Sequence, residues 1–396
     1  PLFISCMNNN IDIFNLIIGR MSSDDINYRD IKGRTLIFIA CQGGSIDIVK
    51  TLVNKYKIDP NIPDNQSKTP LHVACQEGNF EIVDFFLNES PFHVGINAKW
   101  DNQTPLETAC KSGSLEIVKL LLKQDGIQYN LLHEEEEEEE KNEPEENLSF
   151  YAKLAKKAKN KKPRKKKKNE VPPLLCACSP WNPEIIKYLI NEIPDINVNV
   201  SAQITYETAL HYACEKGDAE ICDLILSRSK RSIDKLTNDD QTPVDLALEN
   251  NRIHAFNVLM KYINADQLNS QDKDGETLLI KACKNQYTEI VHSLLENDEI
   301  DVNLVDKNNK SALIIVAENG DNEICNLLLE NSKIDIEQSY KQKTPLYLAC
   351  KNGNEGVVEM LLKKGARFDS LTKNGKSPLH VACQYGYYKI VSLLLS

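Results

Sequence analysis

The chain is narrowed first by what it lacks. Its 396 residues contain no apolar run near the roughly 18 residues that a membrane-crossing helix needs, and no signal-peptide pattern. Positive charge is not in excess: 47 Lys and Arg stand against 58 Asp and Glu, a formal net charge of −11. No direct nucleic-acid binding is expected of such a chain. Nucleophile elbow, zinc-protease motif and kinase signature are all missing. Gly375-Lys376-Ser377 resembles the end of a phosphate-binding loop, but Ser370 stands where that loop requires glycine. Ser270, Asp272, Asp274 and Gly275 resemble a calcium loop whose twelfth position is Lys281 instead of glutamate. The expectation is a chain without catalysis, cofactor or metal.

What is present is one unit, written many times. A Thr-Pro-Leu-like tripeptide stands at Thr69-Pro70-Leu71, Thr104-Pro105-Leu106, Thr242-Pro243-Val244, Thr344-Pro345-Leu346 and Ser377-Pro378-Leu379. Weaker copies begin at Thr35, Thr208, Thr277 and Ser311, and two more are Pro1-Leu2-Phe3 and Pro173-Leu174-Leu175, eleven in all. Neighbouring copies lie 33 to 35 residues apart, except for 104 residues between Thr104 and Thr208, which hold one copy and an insertion. Nine residues past the Thr or Ser comes glycine: Gly44, Gly78, Gly113, Gly217, Gly320, Gly353 and Gly386. An apolar run follows, as in Ile117-Val118-Lys119-Leu120-Leu121-Leu122. Thr caps a helix and Pro fits its first turn, where a missing N–H is no loss. Gly ends that helix with a left-handed turn, and the apolar run is a second helix with one packing face. Asp30-Ile31-Lys32-Gly33 and Asp272-Lys273-Asp274-Gly275 supply turns between units. A unit this small cannot bury its own apolar face, so the units must stack.

Thr69-Pro70-Leu71-His72-Val73-Ala74 carries the ankyrin-repeat signature, and Ser377-Pro378-Leu379-His380-Val381-Ala382 nearly so. The resemblance covers all but about 131–171. It implies an all-α fold, an ankyrin-repeat solenoid of helix–turn–helix units with projecting β-turn fingers and a protein-binding concave face. Residues 1–130 would be repeats 1–4 and 172–396 repeats 5–11. Repeats 5 and 7 depart most, with Trp181 and Asn251 at the glycine position. The chain begins inside a first helix and stops inside an apolar second helix, so a longer protein, or modules covering both ends, is expected.

Nine cysteines share one repeat position: Cys6, Cys41, Cys75, Cys110, Cys178, Cys214, Cys283, Cys350 and Cys383. A small buried residue belongs there, and helices about 8–10 Å apart keep equivalent cysteines from bridging. Neither disulfides nor metal sites are expected, which points to a reducing intracellular compartment, cytoplasmic or nuclear. His72, His211 and His380 belong to the helix-start motif and are expected to bond nearby backbone.

Segment 131–171 runs from Glu134–Glu140 into a basic stretch that includes Lys161, Lys162, Arg164, Lys165, Lys166, Lys167 and Lys168. Such charge runs do not fold alone. Two readings stay open, a solvated linker and a nuclear import signal, with a helix for a calmodulin-like partner as a third.

The resemblance places partner-binding positions at finger tips and first-helix ends. In the last three fingers these are Lys307, Asn308 and Lys310; Tyr340, Lys341 and Lys343; Lys373, Asn374 and Lys376. Six lysines and no acid predict a basic stripe, with Lys351, Gln384 and Tyr385 beside it. An acidic or phosphorylated segment of another protein is the expected partner, unless the lysines only solvate the surface. Trp100, at a finger tip, is a second contact candidate, or packs on the insertion. A monomeric scaffold or adaptor is the leading reading. The alternatives are the targeting arm of a kinase or ubiquitin ligase, and a nuclear regulator.

Overall fold

The computed structural model describes residues 1–129 and 171–396. The expected basic run Lys161–Lys168 and nearly all of the insertion lie outside the described residues. The rest forms two compact units, one of residues 1–129, 171–212 and 227–232, the other of 213–226 and 233–396. The first holds repeats 1–5 and the second repeats 7–11, with repeat 6 divided between them. Every repeat is a helix pair. In the first unit the pairs include Leu36–Gln42 with Ile46–Asn54, Pro105–Ser112 with Leu115–Leu122, and Pro173–Cys178 with Pro183–Glu192. In the second they are Pro243–Glu249 with Ile253–Leu259, Leu278–Lys284 with Thr288–Leu295, Ala312–Asn319 with Asn322–Glu330, Pro345–Asn352 with Glu355–Lys363, and Pro378–Tyr385 with Tyr388–Leu395. Among the described residues there are no β-strands, only isolated bridges such as Trp100 with Gln103 and Tyr340 with Lys343 at finger bases.

The helix starts follow from the motif. Thr35, Thr277 and Thr344 accept the amide of the third helical residue through their hydroxyls, at 3.2–3.3 Å. In five repeats the third residue reciprocates: His72, Glu107, His211, Asp245 and His380 each accept the amide of their own cap residue. This double arrangement satisfies two donors that a helix start otherwise leaves unpaired.

The turn after the first helix is left-handed in all eleven repeats. Seven use glycine, but Asn9, Trp181, Asn251 and Gln286 adopt φ of 50°, 59°, 51° and 60°. Repeats 5 and 7 therefore keep the turn that their sequences lack the usual residue for. Gln286 is exposed and gains nothing there to offset its backbone strain. Gln286→Gly is expected to raise unfolding free energy by about 0.5–1 kcal/mol, the net of left-handed strain removed and unfolded-chain entropy added. A denaturant melt unchanged or lowered by the substitution would count against this.

Repeats are pinned to their predecessors through the residue after this turn. Asn79 donates from Nδ2 to the Cys41 carbonyl at 2.7 Å, Asn182 to Cys110 at 2.8 Å and Asn354 to Ala317 at 2.9 Å. Ser45 donates to Cys6 at 2.8 Å and Arg252 to the Glu215 carbonyl at 2.9 Å. Each bond satisfies a carbonyl at the end of a first helix, where intrahelical partners run out. The Asn182 bond crosses the insertion: Pro173–Cys178 packs directly on Pro105–Ser112, so the stack passes from repeat 4 to repeat 5 without a break. Asn182→Ala should lower stability by about 1–3 kcal/mol, the usual cost of stranding a buried acceptor. A melt within error of the wild type would show that the carbonyl is satisfied another way.

In the first unit the second helices turn their apolar faces inward. Ile48, Val49, Leu52 and Val53 of one second helix are buried, as are Ile185, Ile186, Leu189 and Ile190 of another. Eleven of the twelve cysteines are buried with free thiols, Cys383 in the last repeat being exposed. Burial pushes the Cys6, Cys325 and Cys350 thiols up to about 12.

Candidate functional site

Two kinds of finger present the candidate residues. In repeat 9, the Asp306 carboxylate turns back to accept the amides of Asn308 and Lys310, both at 2.8 Å. Asp30, Asp64 and Asp272 do the same at equivalent places, a side-chain mimic of a backbone turn. The fingers Trp100–Gln103 and Tyr340–Lys343 have no such aspartate. Two consecutive residues there take positive φ, Asp101 and Asn102 at 49° and 59°, Lys341 and Gln342 at 50° and 60°. That is the two-residue turn whose twist suits a tight hairpin.

Tyr340 is where the predicted residues converge. Its ring lies 5.0 Å from the Lys310 ammonium and 4.8 Å from that of Lys341. Trp100 repeats this arrangement in the first unit, with Lys68 Nζ 3.9 Å from its ring. In both cases the lysine immediately precedes one repeat's cap residue, and the aromatic ring stands four residues before the next repeat's cap. Trp100 is half-buried, not an exposed tip: its ring also meets His72 edge-on at 6.1 Å. Indole and lysine cover a histidine that bonds Thr69 Oγ1 at 2.7 Å and the Gln103 carbonyl at 3.1 Å. Burial pushes His72 down to about 4, so it is a neutral structural bridge at physiological pH.

The remaining candidates are spread along the same edge of the second unit. Lys307, Lys341, Lys373 and Lys376 are exposed and Lys310, Lys343 and Lys351 half-buried. Lys307 reaches the Lys273 carbonyl of the preceding finger. Lys376 donates to Gln384 Oε1 at 2.6 Å. Tyr385 is 49% exposed and stacks on Tyr387 at 6.0 Å. The expected stripe of lysines without acid needs one amendment, because Lys310 is paired with Glu318 at 2.5 Å.

That pair belongs to a pattern that the sequence reading missed. In five repeats the residue before the cap bonds the residue eight positions later, on the last turn of the first helix. Gln241 meets Glu249 at 2.6 Å, Glu276 meets Lys284 at 2.8 Å, Lys310 meets Glu318 and Lys376 meets Gln384. Lys68 meets Gln76 in the first unit. Complementary residue types eight apart across the cap were the available signal. In repeat 10 those two places hold Lys343 and Lys351.

A second charge arrangement was also invisible in sequence. Lys281 Nζ lies 2.8 Å from Asp245 and 2.9 Å from Asp272, with the three side chains 12%, 2% and 18% exposed. One cation thus ties the capping acid of repeat 7 to the finger-turn acid of repeat 8. Among the described residues no three His, Cys, Asp or Glu side chains are grouped to hold a metal, and no helix is long and apolar enough to cross a membrane.

A family model described as ankyrin repeats in three copies matches residues 2–95, 56–133, 148–235, 174–268, 261–340 and 314–396. No curated protein matches the chain. Among solved structures, the ankyrin repeat domain of Bcl-3, a unique member of the IkappaB protein family, is 23% identical, with a TM-score of 0.50. The alignment covers 57% of this chain and 99% of that one. The human ASB11 ankyrin repeat domain is 18% identical over 67% of this chain and 98% of that one, also with a TM-score of 0.50. At these identities the likeness concerns the fold.

Proposed function

The chain belongs to the ankyrin-repeat family, and on that premise we propose a scaffold or adaptor that takes an acidic segment of a partner protein along the fingers of repeats 9–11. Ankyrin repeats form a non-catalytic interaction module. The observation that carries the finer reading is the charge of one edge: Lys307, Lys341, Lys343, Lys351 and Lys373 hold no carboxylate partner among the described residues, in a chain of net charge −11. Tyr340, held between two ammonium groups, adds a rigid aromatic surface of the kind favoured at binding hot spots. Trp100 is engaged within its own repeats and is a weaker contact.

The test compares wild type with a variant carrying Ala at Lys307, Lys310, Lys341, Lys343, Lys373 and Lys376. Proteins retained from lysate are identified and their acidic segments synthesised for binding assays, with a thermal melt to verify folding. The expected result is at least a tenfold loss of affinity for such a segment in the variant, and weaker wild-type binding as salt rises. Equal affinities would reduce the lysines to a solvated face.

A further inference from the structure

From the broken pairing in repeat 10, we infer that Lys343 and Lys351 form the seat for a doubly charged phosphate on the partner's acidic segment. The inference rests on the interaction reading above and gives it a specific chemistry. In repeats 7, 8, 9 and 11 the residue before the cap and the residue eight later bond each other at 2.5–2.8 Å. Two of those four pairs are ionic, Glu276 with Lys284 and Lys310 with Glu318. The cap and first helix are built alike in repeat 10: Thr344 caps Pro345–Asn352 as Ser311 caps Ala312–Asn319. The register that brings opposite or complementary groups together in those repeats places lysine at both positions here, as it places Glu207 and Glu215 at them in repeat 6. Neither ammonium has a hydrogen bond or ion pair with another described residue, and both side chains are half-buried.

A like-charged pair at such a place is destabilising unless an anion joins it. One carboxylate would neutralise one of the two charges, as Glu318 does for Lys310. A phosphorylated side chain carries about −1.5 to −2 at neutral pH and offers three acceptor oxygens, which matches two ammonium groups. The surroundings favour the same ligand. Lys310 and Lys341 flank Tyr340 in the same finger row, and Lys376 caps the next repeat's pair with neutral Gln384. Hydrogen bonds between ionised partners of this kind are shorter and about twice as strong as neutral ones.

The test uses two labelled heptapeptides, Asp-Glu-Asp-phosphoSer-Asp-Glu-Asp and the same peptide with unmodified serine, followed by fluorescence anisotropy. The key variant is Lys351→Gln. It recreates the lysine–glutamine pair that repeats 3 and 11 already use, so the fold has a precedent for it. Lys364→Gln removes the same charge outside the finger row. Wild type and Lys364→Gln are expected to prefer the phosphopeptide at least tenfold, and Lys351→Gln to lose most of that preference. If wild type binds both peptides equally, the phosphate seat is wrong, although binding to an acidic segment survives. A preference that Lys351→Gln retains also overturns it. If neither peptide binds, the acidic-segment reading falls and this one falls with it.

Discussion

Lys281→Met is expected to lower the unfolding free energy by about 3–5 kcal/mol, the usual consequence of removing one member of a buried ion pair. Lys281 is 12% exposed and joins Asp245 and Asp272, which are 2% and 18% exposed. Methionine keeps the length of the side chain but removes the cation that joins the two carboxylates. Neither can be released cheaply, because Asp245 holds the amide of its cap residue Thr242 at 3.0 Å and Asp272 holds the amides of Asp274 and Glu276. Burial alone would favour the neutral form of Lys281, but Asp245 and then Asp272 raise its pKa above the ordinary 10.5. Burial alone would likewise raise Asp272, yet the hydrogen bond and charge of Lys281 hold it below the ordinary 3.8. The contribution of Asp272 is therefore present above about pH 4 and is lost as pH falls through its depressed value. That of Lys281 is fully present below its ordinary value and is lost only as pH rises beyond it. Denaturant melts of wild type and variant should differ most between those limits and converge in acid. The companion Asp245→Asn/Lys281→Met/Asp272→Asn keeps the acceptor oxygens without the charges and should recover much of the loss. A variant as stable as wild type at neutral pH would mean that water already satisfies the two acids.

Gly353→Val is expected to cost about 2–4 kcal/mol, combining left-handed backbone strain with overpacking. The backbone at Gly353 has φ +80°, and a Cβ there would lie 2.8 Å from the Tyr387 ring. A β-branched residue is poorly suited to that conformation, and the added atoms would drive Tyr387 from its stack on Tyr385. Gly353→Ala separates the two effects, since it keeps most of the strain with a smaller side chain. Thermal melts of both variants check the order, valine below alanine below wild type. An unchanged melt for valine would show that the turn can leave the left-handed region, contrary to its use in all eleven repeats.

Much of the architecture was legible because it is local. A Thr or Ser cap, Pro in the first turn and an apolar run with helical spacing act within one unit, and repetition of that unit leaves stacking as the way to bury its face. The expected cysteine positions are core positions for the same reason. The basic finger row was legible as residue types. What those charges meet was not, because Glu318 and Lys310 are eight residues apart with a cap and a helix between them.

The sequence by itself determined the period, the caps, the helix pairs and the family. Each follows from residues within one turn or one helix of each other, where steric and hydrogen-bonding preferences operate without the rest of the molecule. Tertiary structure decided the rest. Trp181 and Gln286 take a glycine's conformation because the helices on either side are fixed by packing on neighbouring repeats, and that burial outweighs a strain of about 1–2 kcal/mol. Lys281 became a bridge because stacking placed two acids from different repeats against it. Lys343 and Lys351 have no ion-pair partner among the described residues for the converse reason, since the register that pairs Lys310 with Glu318 puts lysine at both places in repeat 10.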